Sequence, residues 1–227
     1  MIISHGRKYI FVHIPKTGGT ALSLALEGRA MADDLLFGDT PKAVKRRKRM
    51  KALKSERSLH KHARLADIEG VVPQSALDDY FIFTLVRNPW DRIVSYYHWL
   101  QLQDWDHPAV DLAKAVNFTT FLNDPATQRS LAFPYAHYLT DGAGAEQAGH
   151  YIRLEQLDHD LTPLWDHLGF CLSPIARQNA SPRSRDFRGY YTDADRDVVA
   201  KLCATDIARF GYAFTQTGLT APDTQNR

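Results

Sequence analysis

The apolar residues gather in two dense short runs. Tyr9–Ile14 (YIFVHI) is aromatic and β-branched and stops at a proline. Tyr80–Val86 (YFIFTLV) is apolar along its length, the pattern of a strand covered on both faces. His150–Leu154 reads as a third strand. Elsewhere the spacing turns helical. Leu22 and Leu26 share one side of Thr20–Gly28, and Trp90, Ile93, Val94, Tyr97 and Leu100 form one stripe of Pro89–Gln103. Pro41–Arg57 predicts a basic helix, and Phe118–Leu122 and Gln128–Tyr138 predict shorter ones. Leu157–Leu168 is closed by Gly169, and Thr192 with Asp195 predicts a capped start to a helix over Asp193–Ala208. Strands alternating with helices predict the α/β class, with a central, mainly parallel sheet flanked by helices. One domain is expected over 1–214, followed by a flexible tail over 215–227.

Composition narrows the class. The chain has 227 residues, 44% apolar and 24% charged, which excludes a largely disordered chain, a collagen and a disulfide scaffold. Cys171 and Cys203 form no C-x-x-C pair, so they read as free thiols in a reducing compartment. No apolar run approaches a membrane span, and His5, Arg7 and Lys8 break the N-terminal apolar stretch, so a cytoplasmic protein is expected.

Charge changes the picture more than composition does. The net charge is +2, yet Lys42–Arg64 holds eleven Lys and Arg against Glu56 alone. The rest of the chain has 17 basic against 25 acidic side chains, a balance of −8. One segment therefore carries a strong positive field that suits an anionic partner. It lacks sustained aromatic interleaving, which disfavours nucleic acid.

The chemistry sits where the two best strands end. Tyr9–Ile14 runs into Pro15-Lys16-Thr17-Gly18-Gly19-Thr20 and then a helix. Such a turn presents backbone N–H groups to a phosphate or sulfate, with Lys16, Thr17 and Thr20 adding donors. Tyr80–Val86 runs into Arg87-Asn88-Pro89-Trp90 and a helix bearing Ser95. An arginine at the carboxyl end of a strand faces the crevice where open α/β sheets bind ligands. Two anion sites suit a ligand with two phosphorylated positions. A nucleotide-triphosphatase loop would carry its Lys-Ser/Thr after the glycines; here Lys16 precedes them, so no obligatory metal is expected. A nucleotide or small-molecule kinase, and an inactive anion- or glycan-binding protein, are the competing readings.

FVHIPKTGGTAL, followed about seventy residues later by FTLVRNPWDRIVSYYHWL, resembles the type-2 sulfotransferase family, which includes the carbohydrate sulfotransferases. Weaker likeness extends through IRLEQLDHDLTPLWDHLG to YYTDADRDVV and DIARFGYAF. The resemblance implies a P-loop-like sulfotransferase fold and 3′-phosphoadenosine 5′-phosphosulfate (PAPS) as co-substrate. By motif, Lys16, Thr17, Gly18, Gly19, Thr20 and Ala21 would cradle the 5′-phosphosulfate. Arg87 and Ser95 would hold the 3′-phosphate. The loop carrying Arg183, Arg185 and Arg188 would close over the nucleotide, with one of the three, Arg188 being a candidate, contacting the 3′-phosphate. The chain is short and lacks the signal-anchor of eukaryotic members, which points to a soluble bacterial-type enzyme with a hydroxyl acceptor, possible anionic glycans included.

Transfer to a hydroxyl requires a base and a stabilised leaving oxygen. Lys16 is the candidate for the second task. The H-K-H of His60 and His62 matches an H-x-H of the related uronosyl 2-O-sulfotransferases, which makes His62 the candidate base and His60 its helper. His13 is expected to be a core histidine, Glu155 a structural partner, and Trp90, Tyr97 and Trp99 core residues.

Overall fold

The computed structural model describes residues 1–53, 57–147, 149–176 and 182–215. The expected tail beyond 215, residues 54–56 of the expected basic helix and residues 179–181 of the arginine loop lie outside them. The described residues gather into two compact units. The first comprises those of Met1–Val86, Tyr135–Arg153 and Leu157–Ala180; the second, those of Arg87–Pro134, Leu154–Gln156 and Ser181–Arg227.

The first unit is built on a five-stranded sheet. Its strands are β1 (Ile2–Ser4), β2 (Tyr9–Val12), β3 (Leu35–Leu36), β4 (Phe81–Val86) and β5 (His150–Arg153), in the order β3-β1-β2-β4-β5. β2, β4 and β5 are parallel neighbours, with Val12 opposite Thr84 and Val86 opposite Arg153. β1 runs against both β2 and β3, so four strands share a direction and one opposes them. β1 is absent from the sequence reading. The polar residues that break the first apolar stretch, His5, Arg7 and Lys8, are the turn between β1 and β2, and a link this short joins only antiparallel strands. β4 is buried almost end to end, and its one polar residue is satisfied, since Thr84 Oγ1 donates to the Val12 carbonyl at 2.7 Å. Ile3, Ile10, Val12, Leu65, Ile68, Ile82 and Leu139 centre the core on one side of this sheet.

Two helices of this unit matter for the site. α1 (Gly19–Gly28) leaves the end of β2, and α2 (Pro41–Lys51) is capped by Thr40, whose side chain accepts from the Ala43 N–H. The expected helix over Leu157–Leu168 is divided into Leu157–Asp160 and Thr162–Leu168, because Pro163 lacks the N–H that continuity needs. Gly169 closes it in the left-handed region, φ 72°.

The second unit is helical. α3 (Pro89–Gln101) buries the expected stripe and is capped by Asn88, whose side chain accepts from the Trp90 N–H. Phe118–Asn123 and Pro125–Leu131 are separate helices, and the expected long C-terminal helix is divided at Cys203 into Asp193–Leu202 and Ala204–Phe210. The Thr192 capping box forms: its hydroxyl accepts from the Asp195 N–H while the Asp195 carboxylate accepts from the Thr192 N–H. Among the described residues no helix is long and apolar enough to cross a membrane.

Candidate active site

The turn from β2 to α1 is shaped by its own side chains. Thr17 is fully buried and its hydroxyl donates to the Ile14 carbonyl at 2.9 Å, so it fixes the turn, leaving only its main chain for a ligand. Lys16 sits at φ 66°, a conformation that costs a non-glycine residue about 1–2 kcal/mol. Gly18 occupies the N-cap of α1 at φ 89° and provides no side-chain cap. The first turn of α1 also contains no acidic residue. Its N–H groups and the positive end of the helix dipole therefore meet a site suited to an anion.

His13 is the floor of this turn. It is 3% exposed, stacked on Phe11 with ring centroids 5.7 Å apart. A Cβ on Gly19 would lie 2.5 Å from His13 Nε2 and closer still to Cδ2, so residue 19 has room for glycine only. Burial holds the His13 imidazole well below its ordinary pKa, with His62, Lys61 and Lys16 adding to the effect, and keeps it neutral.

His62 reaches the same residue from 49 positions away. Its Nδ1 lies 2.8 Å from the His13 carbonyl oxygen, and the rings meet edge-on at 4.8 Å. A carbonyl can only accept, so Nδ1 carries the proton and Nε2 keeps its lone pair. That is the tautomer a general base needs. Burial lowers the His62 pKa to about 4; Lys61 and His60 push the same way, against the hydrogen bond to His13. His60 is exposed, and its Nδ1 accepts from the His62 N–H at 3.2 Å. The H-K-H pair is thus divided, one imidazole turned in and one supporting the backbone from outside. Lys61 between them pairs with Asp39 at 2.9 Å.

A profile of the sulfotransferase family matches residues 1–162, which include this turn and both histidines. The chain belongs to the sulfotransferase family. The sulfotransferase also shares its fold with the crystal structure of the mouse sulfotransferase SULT7A1 complexed with PAP, at 18% identity and a TM-score of 0.50, over 90% of this chain and 85% of that one. No curated protein matches.

In its second unit the sulfotransferase holds a charge cluster at the start of α3. Asp91 is 6% exposed; its Oδ2 accepts from Arg87 Nε at 2.9 Å and from an Arg87 terminal nitrogen at 2.6 Å, and its Oδ1 accepts from Arg183 at 2.5 Å. Two guanidinium groups share this carboxylate, and the charges of Arg87 and Asp91 both act on Glu155. Burial lowers the His98 pKa and the Arg183 charge lowers it further, against a hydrogen bond with Gln101, and among the described residues its buried Nε2 has no partner. Ser95 is also buried, on the same helix. Arg188 is half-buried and paired with Asp186 at 2.7 Å, and Arg185 is exposed. Of the three loop arginines, Arg183 is the one that shares the Asp91 carboxylate with Arg87. Glu155 accepts from the Asn88 N–H at 2.7 Å, the pairing expected of a structural carboxylate; burial raises its pKa despite that bond.

Asp91 is absent from the sequence reading, His13 does more than the core role expected of it, and Trp99 lies outside the expected core. His13 was taken for core alone, and no local pattern shows that its carbonyl orients the His62 ring. Asp91 left a legible signal, four residues after Arg87 at the start of a helix. Trp99, expected in the core, is half-buried and lies 6.1 Å from Trp105, itself 44% exposed. Among the described residues no three His, Cys, Asp or Glu side chains gather in a way that could hold a metal ion.

Proposed function

We propose that this sulfotransferase, working as one domain over 1–214, moves a sulfuryl group from PAPS to a hydroxyl of a carbohydrate. The acceptor O–H gives its proton to His62 Nε2. The acceptor oxygen forms a bond to sulfur while the bond from sulfur to the 5′-phosphate oxygen breaks. The electron pair leaves on that oxygen, and adenosine 3′,5′-bisphosphate is released. Lys16 and the N–H groups of 17–20, with Ala21 behind them, meet the phosphosulfate, and Lys16 stabilises the leaving oxygen. Arg87, Ser95 and the arginine loop meet the 3′-phosphate; Arg183, which shares the Asp91 carboxylate with Arg87, is the stronger candidate there beside Arg188. Positioning and electrostatics supply most of the rate in such a transfer.

The observation that carries the reading is the one residue His13. Its carbonyl fixes the His62 tautomer and its ring lies against Gly19 of the anion loop, so base and anion site share a single anchor. The glycine cradle and the uncapped start of α1 fit an anionic sulfuryl donor. The free thiols Cys171 and Cys203 support a reducing, cytoplasmic setting.

Calorimetric titration with adenosine 3′,5′-bisphosphate, with AMP and ATP–Mg²⁺ as comparisons, tests it. Tight binding of the bisphosphate and weak binding of the other two is expected. Preference for ATP–Mg²⁺ would favour a kinase, and binding of none would favour an inactive scaffold.

A further inference from the structure

The cations of α2 fall on two sides with different tasks. On one side Lys42 donates to the Glu27 carbonyl, Arg46 to the carbonyls of Asp34 and Met31, and Arg49 to those of Ala32 and Asp34. These contacts tie α2 to the end of α1 and the turn after it, and make the helix a fixed platform. Ala43 and Met50 are buried on the next side round. The remaining side carries Val44, Arg47, Lys48 and Lys51, all exposed, with Lys45 exposed at its edge. Among the described residues none of these four cations makes an ion pair. Lys48 and Lys51 complement the carboxyl end of the helix, but Lys45 and Arg47 stand before its last turn and have no such local use.

This side is turned away from the candidate base. The helix meets that region through its buried side: a Cβ on Gly38 would sit 4.0 Å from Ala43 Cβ and 4.0 Å from Lys61 Cγ, next to His62. Ala43 lies about 100° round the helix from Val44. The exposed stripe therefore serves something other than the reacting group. We propose that Lys45, Arg47, Lys48 and Lys51, set around Val44, dock the enzyme on the anionic surface of a lipid bilayer, with α2 lying on the headgroups. Outside Lys42–Arg64 the chain has 17 basic against 25 acidic side chains, so an anionic plane attracts this segment and repels the remainder. Val44 is 45% exposed in the middle of the stripe, an apolar contact ringed by cations, as in helices held at headgroup depth. Composition separates this occupant from others. Three of the four cations are lysines, point charges on flexible stems, whereas protein interfaces are depleted in lysine and centre on aromatic anchors. Pro41–Lys51 also contains no aromatic ring on which a nucleic-acid base could stack.

The test is co-sedimentation with vesicles, either phosphatidylcholine alone or phosphatidylcholine and phosphatidylserine in equal parts. The wild type is compared with the fourfold variant K45Q/R47Q/K48Q/K51Q and the charge-preserving variant K45R/K48R/K51R, all substituted at exposed positions. The wild type should bind the mixed vesicles, ignore pure phosphatidylcholine and be released as salt rises. The fourfold variant should lose at least about 100-fold in affinity for the mixed vesicles, and the charge-preserving variant should keep the wild-type value. Equal binding of the wild type to both vesicles would overturn the proposal, and so would undiminished binding by the fourfold variant. Release of the wild type by an equal charge of duplex DNA or of hyaluronan would overturn it in favour of that polyanion. A wild-type oligomer that dissociates in the fourfold variant would overturn it in favour of a second copy of the chain. The two vesicle compositions and the charge-preserving variant decide the question even if the fourfold variant is unstable.

Discussion

Replacing Gly19 with alanine sets two effects of opposite sign against each other. Residue 19 opens α1, and alanine there gains up to about 1 kcal/mol over glycine in helix propensity. Against that, the new Cβ falls 2.5 Å from His13 Nε2, where carbon and nitrogen need about 3.5 Å. About 1 Å of movement is required. The His13 ring cannot supply it, being 3% exposed and stacked on Phe11. The start of α1 must move instead, and overpacking of this kind costs about 1–3 kcal/mol. The two terms nearly cancel or leave a small deficit, so the melting temperature should fall by only a few degrees. Turnover has no such compensation. A 1 Å displacement of a group that positions the reacting atoms costs about 100-fold. The assay is initial-rate sulfuryl transfer followed by release of adenosine 3′,5′-bisphosphate, alongside calorimetric affinity and thermal unfolding. G19A should show a small stability change, weaker bisphosphate binding and a rate lower by about two orders of magnitude. Full turnover with unchanged nucleotide affinity would refute the reasoning. A double variant with His13→Ala should recover the overpacking loss in stability, a coupling of about 1 kcal/mol or more.

Lys16→Met should reduce transfer by at least about 100-fold with the melting temperature nearly unchanged, and retained turnover would remove Lys16 from the chemistry. Because the His62 pKa is lowered to about 4 from 6.5, the folded imidazole stays neutral where the unfolded one takes a proton. Stability from this group is therefore complete above pH 6.5 and declines as the pH falls toward 4. Thermal melts across that range should show the decline, and it should shrink in His62→Gln; an identical profile in the variant would contradict the assignment. Asp91→Asn strips the negative charge from two buried guanidinium groups and should cost about 3 kcal/mol in denaturant unfolding. Added bisphosphate should recover part of that loss, and a variant as stable as the wild type would show that the cluster is not held by Asp91.

Much of the fold was written in local patterns. The runs YIFVHI and YFIFTLV form β2 and β4 because their residues leave no polar side to face water. The Pro89 and Thr192 helix starts follow from side chains within three residues of the first turn. Boundaries were less legible. The basic pattern runs on past Lys51, but the helix stops there, and the strand before the first turn was hidden by the very residues that make the turn.

The sequence by itself determined the α/β class, the glycine-bearing turn of Lys16–Thr20 after a strand, the Arg87 strand end and the surplus of positive charge in one segment. Each of these depends on neighbours within a few residues, so spacing and residue type suffice. Tertiary structure alone decided which histidine of H-K-H turns inward, which loop arginine joins Asp91, and which cations of α2 tie down a turn and which remain for a partner. Those choices depend on groups 49, 92 and 12–17 residues apart. At such separations no periodicity operates; only the folded backbone brings a carbonyl or a carboxylate within 3 Å of its donor.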